Sequence, residues 1–173
     1  FVYIRRGLWG PSRPFTVSHY DESTGDLSVT IKALGPTTKW FQSMMPDESV
    51  YVDGPYGVFG REALQSAKSV VLIAGGIGIT PFMRLIHAFN KSFQDEIILF
   101  YGNKTTEEIV YKKELEQIQG LRIVHVISNE PGYPGETGFI TTDLMKSHLS
   151  KSLTDYEFLI CGPPIMTQKL EAG

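Results

Sequence analysis

Between Ser69 and Ile86 the chain reads SVVLIAGGIGITPFMRLI, and the chemistry this stretch offers is anion binding. Val70, Val71, Leu72, Ile73 and Ala74 predict a strand buried on both faces of a parallel sheet. Phe82, Leu85, Ile86 and Phe89 repeat at helical spacing. Pro81 suits the first helical position, where the missing N–H is no loss. Gly75, Gly76 and Gly78 lie between the two elements, with Thr80 at the helix entry. A helix start exposes unpaired N–H groups and positive partial charge, and glycines let a ligand approach the backbone closely. Strand, glycine turn and helix together make a phosphate seat. The P-loop spacing and its lysine are absent. Pro81 also stands where the dinucleotide fingerprint has its third glycine. The turn therefore indicates a nucleotide without saying which.

The elements that must position this turn follow from the rhythm of the chain. Apolar runs at 70–74, 96–101, 121–127 and 158–161 read as four strands, with helical stretches at 81–93, 106–119 and 141–149 between them. Strands alternating with helices of this length predict βαβ units and an α/β three-layer domain with a parallel sheet. Ligands of such sheets collect at the carboxyl ends of the strands. Gly102-Asn103-Lys104 and Cys161-Gly162-Pro163-Pro164 are therefore expected to share one crevice with the glycine turn. Glu130 to Gly138, rich in Gly and Pro, reads as a mobile loop near that crevice, within reach of a ligand bound there.

Residues 1–60 have a different pattern and read as β structure. Phe1 to Ile4 and Phe15 to Tyr20 read as strands, and Leu27, Val29, Ile31 and Ala33 alternate with polar residues as in a half-buried antiparallel strand. Thr37 or Thr38 can cap a short helix carrying Trp40, Phe41, Met44 and Met45, before a strand at Val50 to Val52. These elements suggest a partial, antiparallel Greek-key β barrel that lacks its first strands. Arg61 to Lys68 is polar and reads as the connection to the second domain, 61–173.

Composition removes several function classes. With 16 Lys and Arg against 19 Asp and Glu, the net charge of −3 provides no basic field for nucleic acid. The one cysteine, Cys161, excludes an internal disulfide and a multi-cysteine metal cluster, and suits a reducing, cytoplasmic setting. His19, His87, His125 and His148 show no shared metal spacing, so no metal site is expected. No segment of the sequence is long and apolar enough to span a membrane. The chain opens without Met inside an apolar run, as a piece of a longer protein would. Its setting would then be the cytoplasm, or the cytoplasmic face of a membrane protein whose other parts are absent.

Four short pieces, in order, carry a resemblance: Arg13-Pro14-Phe15-Thr16, Ile31 to Thr38, Gly75 to Pro81, and Cys161 to Met166. Together with Gly54-Pro55-Tyr56-Gly57 they resemble the ferredoxin–NADP⁺ reductase superfamily, in which a flavin-binding barrel precedes a pyridine-nucleotide domain. The resemblance covers the whole chain, but only the later part of the barrel.

The resemblance implies a site for FAD and a site for NADH or NADPH. Arg13 would pair with the FAD pyrophosphate, a task suited to a planar, permanent cation. Phe15 would stack on the flavin ring, where the family more often has tyrosine, and Thr16 would offer its hydroxyl to the flavin nitrogen that accepts hydride. Ile31-Lys32 and the loop of Gly35, Thr37 and Thr38 would complete the FAD contacts. Gly75, Gly76, Gly78, Thr80 and Pro81 would seat the coenzyme pyrophosphate, with Gly102, Asn103 and Lys104 along the same crevice. Cys161, Gly162, Pro163 and Met166 match the motif that brings a thiol to the nicotinamide, making Thr16 and Cys161 the expected catalytic pair.

The implied activity is a flavin-dependent oxidoreductase that passes hydride from NAD(P)H to FAD and then single electrons to a partner. That partner would be an electron-acceptor protein or an attached iron–sulfur or haem domain. Asn103, Lys104, Thr105 and Thr106 are followed by Glu107 and Glu108 without an arginine, which favours NADH. A non-catalytic nucleotide-binding regulatory module and a dedicated electron-transfer subunit of a larger complex are the competing readings.

Overall fold

A computed structural model describes residues 1–66, 68–92 and 96–171. It divides into two compact units, Phe1–Phe59 and Gly60–Gly173. The first contains β1 (Val2–Arg5), β2 (Arg13–Phe15), β3 (Val17–Tyr20), β4 (Leu27–Val29), α1 (Pro36–Gln42) and β5 (Tyr51–Asp53). In β1, Val2 and Ile4 are buried while Tyr3 and Arg5 are half-exposed, the period of a strand with one face on a core. β1 is the middle of an antiparallel sheet β2-β1-β5, and β3 and β4 form a second antiparallel pair. Val2, Ile4 and Val17 centre a small core against which Phe15, Val29, Phe41 and Val50 pack.

Three local expectations for this unit are corrected. The stretch Phe15 to Tyr20 is not one strand: β2 ends at Phe15 and β3 starts at Val17, because the chain passes at Thr16 from one sheet to the other. The alternating run from Leu27 to Ala33 is a strand only to Val29, since its one partner, β3, is four residues long. Beyond that point the alternating pattern continues outside the strand. The helix is capped by Gly35, with Pro36 opening it, and it ends at Gln42, before Met44 and Met45. Neither threonine is the cap residue.

The second unit contains β6 (Ser69–Gly75), α2 (Thr80–Ser92), β7 (Ile97–Asn103), α3 (Lys112–Glu116), β8 (Leu121–Ile127), β9 (Glu136–Thr137), α4 (Thr142–His148), β10 (Tyr156–Cys161) and α5 (Pro164–Glu171). All seven residues of β6 are buried, as a strand covered on both faces requires. The parallel sheet has the order β10-β6-β7-β8-β9. On one face Leu72, Leu99 and Tyr101 pack with Phe82, Met83, Ile86 and Phe89 of α2. On the other, Val71, Ile73, Ile98 and Phe100 pack with Met145 of α4, and Met166 and Leu170 of α5 join them. Helices on both faces give the expected three layers.

The four expected strands are present, and a fifth was hidden in the Gly/Pro-rich loop. Glu136–Thr137 pairs in parallel with Val126 and Ile127. Two residues carry too little pattern to announce a strand. The expected helix at 106–119 is broken into a single 3-10 turn, Thr106–Glu108, and the short α3. Tyr111 interrupts it with a left-handed φ of 60°. The cause is tertiary: Ile109, Val110 and Tyr111 pack against the α2-side core, and Val110 N–H donates to the buried Tyr101 hydroxyl at 3.3 Å. The expected helix at 81–93 runs from Thr80 to Ser92, and residue 93 lies outside the described residues.

Candidate functional site

The sheet order locates the crevice. From β6 the chain steps outward to β7, β8 and β9, then returns to the other side of β6 as β10. The switch therefore lies between β6 and β10, where open α/β sheets bind their ligands beyond the carboxyl ends. Cys161 is in register with Ala74, and Ala74 with Tyr101, so β10 ends in a row that β6 passes by one residue, to Gly75, and β7 by two, to Asn103.

From that row the glycine turn leaves β6 as a 3-10 turn, Gly76–Ile79, and runs directly into α2. Thr80, 5 % exposed, donates its hydroxyl to the Ile77 carbonyl at 3.1 Å and so braces the turn from within. The glycines divide into two kinds. Gly76 has φ +53° with nothing within 4 Å of where a Cβ would lie, so it supplies conformation and leaves space open. Gly75, Gly78 and Gly162 are contact glycines. A Cβ on Gly75 would lie 2.7 Å from Pro163 Cδ and 3.0 Å from Met166 Sδ; one on Gly162 would lie 3.0 Å from Gly75 N. A Cβ on Gly78 would meet the Cys161 backbone. The structure thus brings Gly75, Gly76, Gly78, Thr80, Pro81, Cys161, Gly162, Pro163 and Met166 together, with Met166 filling the notch between two glycines.

Cys161 ends β10 half-buried, against the α2-side core. Burial pushes its thiol up from the ordinary value, so it stands as a neutral, polarisable group and not as a thiolate nucleophile. Gly102 and Asn103 end β7, and Lys104 beyond them is exposed. Asn103 is 6 % exposed, and its amide lies beside the Tyr101 hydroxyl without a partner of normal hydrogen-bond geometry. Burial drives the Tyr101 hydroxyl up to about 12, against the lowering effect of Val110 and Asn103. His125, in register with Tyr101, is held below its usual value by burial and then by the nearby Lys112 charge.

The loops after β7 and β8 are joined by contacts that sequence reasoning missed. Ser128 N–H donates to the Asn103 carbonyl at 3.0 Å and Asn129 N–H to the Lys104 carbonyl at 2.8 Å. The Glu130 carboxylate accepts from Thr106 N–H at 2.6 Å and from the Thr106 hydroxyl at 3.1 Å. At the far end, Gly138 N–H donates to Ile127. The segment read as a mobile loop is pinned at both ends. Phe139, 78 % exposed, was also missed; the Lys169 ammonium lies 5.9 Å from its ring centre. Neither Glu130 nor Phe139 belongs to a local motif that would have singled it out. The other two histidines of this unit hold carboxylates: His87 reaches Glu114 at 3.1 Å and His148 reaches Glu136 at 2.9 Å.

In the first unit, Arg13 and Phe15 are in register with Ile4 and Val2, on one face of β2. Arg13 is exposed; Phe15 is half-buried, its ring edge-on to Phe41 at 5.2 Å. Pro14 lies between them, exposed, and Thr16 sits half-buried at the break before β3. Ile31 is half-buried and Lys32 exposed. The Thr38 hydroxyl accepts from Leu34 N–H and Gly35 N–H, each at 2.9 Å, and donates to the Gly35 carbonyl at 3.0 Å. Its hydrogen-bonding capacity is therefore used inside the turn. Thr37 N–H and Thr38 N–H remain as first-turn donors that the helix itself does not pair.

Comparison with known proteins agrees with this geometry. The oxidoreductase NAD-binding domain family matches residues 72–171. NADH-cytochrome b5 reductase 2-A of Vanderwaltozyma polyspora is 37 % identical over 163 residues, covering 88 % of this chain and 54 % of that protein. NADH-cytochrome b5 reductase 1 of Dictyostelium discoideum is 32 % identical, over 91 % of this chain and 58 % of its own. The chain thus spans about half the length of the curated relatives it matches. Among solved structures, the cytochrome b5 reductase domain of Ulva prolifera nitrate reductase superposes with a TM-score of 0.81 at 23 % identity, over 98 % of this chain and 76 % of that one. A ferredoxin NADP⁺ reductase from Neisseria gonorrhoeae gives 0.80 at 22 % identity, over 99 % and 74 %. The chain belongs to the oxidoreductase NAD-binding domain family, on the fold of the ferredoxin–NADP⁺ reductase superfamily.

Proposed function

We propose that this chain is the coenzyme-binding part, with a portion of the flavin-binding part, of a flavin-dependent NADH oxidoreductase that delivers single electrons to a protein acceptor. The observation that carries this reading is the backbone-to-backbone meeting of the glycine turn and the Cys161-Gly162 turn at the switch point. In the coenzyme-binding domain, which we assign to residues 61–173, the turn Gly75, Gly76 and Gly78 with Thr80 and Pro81 seats the coenzyme pyrophosphate. The positive end of α2 and the open space at Gly76 supply the site for the anion. Gly102, Asn103 and Lys104 follow the coenzyme along β7. Cys161, Gly162, Pro163 and Met166 border the nicotinamide, where a neutral thiol orients the ring without competing as a nucleophile.

The residues of the flavin-binding part, which we assign to 1–60, fit FAD. An exposed guanidinium and a half-buried aromatic ring share one strand face, and a hydroxyl follows at the strand break. Arg13 would hold the pyrophosphate, with Pro14 fixing the strand between it and Phe15. Phe15 would lie against the ring, and Thr16 would donate to its reactive nitrogen. Ile31, Lys32, Gly35 and Thr37 would contribute backbone and charge. Thr38 holds the turn that presents them. FAD, when bound, supplies the conversion of a two-electron donor into single electrons. The protein's task is to hold and orient the two ring systems.

Relatives named NADH-cytochrome b5 reductases support NADH as the donor and a cytochrome, a haem protein, as the acceptor. Among the described residues, no helix is long and apolar enough to cross a membrane; we place the chain in the cytoplasm on its single, unpaired cysteine. The test is steady-state reduction of ferricyanide by the full-length, FAD-loaded protein. NADH should support turnover with a kcat/KM at least about tenfold above that of NADPH, the scale of one lost charge-assisted contact. No turnover with either coenzyme would remove the reading.

A further inference from the structure

The clamp between Glu130 and Thr106 has no place in the phosphate seat or at Cys161. Glu130 lies beyond β8 and Thr106 beyond β7, on the side of β6 away from β10. The two loops touch at three successive levels: Ser128 on Asn103, Asn129 on Lys104, and the Glu130 carboxylate on Thr106. The first two are backbone contacts, to which the Ser128 hydroxyl adds a long bond to the Asn103 carbonyl at 3.4 Å. The third is side-chain-specific, with one carboxylate engaging both the N–H and the hydroxyl of Thr106 at 2.6 and 3.1 Å. A charge-assisted pair of this kind is the strongest link in the rim.

The order of strands assigns the rim to one end of the coenzyme. With the pyrophosphate at the β6 turn and the nicotinamide toward Cys161 on β10, the adenosine half extends the other way, over β7 and β8. We propose, resting on the NADH-oxidoreductase reading above, that Glu130 is a positioning residue for the adenosine half of the coenzyme. By clamping Thr106 it locks the loops after β7 and β8 into one preformed rim. It touches no reacting atom. Its effect is on binding, shared equally by ground state and transition state, so it acts on KM and not on kcat.

The experiment compares two reductants in the full-length, FAD-loaded protein: NADH, and reduced nicotinamide mononucleotide, which lacks the adenosine half. Glu130→Ala should raise KM for NADH about tenfold with kcat within about twofold, the size expected for one charge-assisted hydrogen-bond pair. Its kcat/KM for the mononucleotide should equal that of the unaltered protein. Glu130→Gln, which keeps an acceptor facing the Thr106 N–H, should recover most of the NADH affinity. Thr106→Val, which removes only the hydroxyl contact, should fall between the two. Equal losses with both reductants would mark a merely structural role and overturn the proposal, as would an unchanged KM for NADH in Glu130→Ala. Failure of the unaltered protein to oxidise either reductant would overturn the oxidoreductase reading, and this proposal with it.

Discussion

Gly78 rests directly on Cys161: a Cβ built on Gly78 would lie 2.7 Å from the Cys161 carbonyl carbon and 2.9 Å from Gly162 Cα. The first turn after β6 and the first turn after β10 are therefore in backbone contact, and the glycine turn and Cys161 form one corner. Gly78→Ala should lower stability by about 2–3 kcal/mol, because backbone cannot give way as a flexible side chain would. Gly76→Ala meets open space and bears only the left-handed strain, about 1 kcal/mol. Thermal unfolding of the two variants should rank them in that order.

Arg13 is exposed on β2, across from Ile4, and is not one of the apolar residues that build the small core around Val2, Ile4 and Val17. Arg13→Ala should leave the melting temperature of the FAD-free protein within the range of a surface change, about 0.5 kcal/mol. The same substitution should weaken FAD binding at least about tenfold, because a charge-assisted phosphate contact is lost. Fluorescence titration of FAD checks the second effect and calorimetry the first.

The pair Tyr101 and His125, with ring centres 5.9 Å apart, predicts opposite limits on stability. Burial holds His125 neutral, below its usual value of 6.5. The stability this contributes is present above pH 6.5 and is lost as pH falls through the lowered value. Tyr101 is raised from 10.0 to about 12. Its contribution is present below pH 10 and is lost as pH rises toward 12. Urea unfolding against pH should show His125→Phe flattening the acid limb and Tyr101→Phe flattening the alkaline one.

Much of this architecture was legible because it is local. The buried run of β6, the glycines after it and the apolar spacing of α2 are contiguous, and a parallel sheet follows from their repetition. What escaped is decided by partners distant in sequence. Val29 ends β4 because β3 is short, Tyr111 is forced into a left-handed turn by the loop tucked over Tyr101, and β9 exists only because β8 offers two residues to pair with. The same holds for the site. Cys161 and the glycine turn carry local motifs, whereas Glu130 matters through Thr106, 24 positions away.

Cys161 should react slowly with alkylating agents. Its thiol is raised by burial above its ordinary value of 9.0, and only the thiolate attacks. The rate of iodoacetamide labelling, followed by mass spectrometry, should stay low near neutral pH and climb only above the range of a free thiol. Saturating NADH should slow it further.

The central claim is that coenzyme and flavin react on this protein. It is tested most directly by the visible spectrum of the full-length, FAD-loaded protein under anaerobic conditions, before and after addition of NADH. The account predicts a flavin absorption band that bleaches on addition of NADH, and that bleaches more slowly in Glu130→Ala at subsaturating coenzyme. A full-length protein that stays colourless in excess FAD, or a flavin band that NADH leaves unchanged, would contradict it.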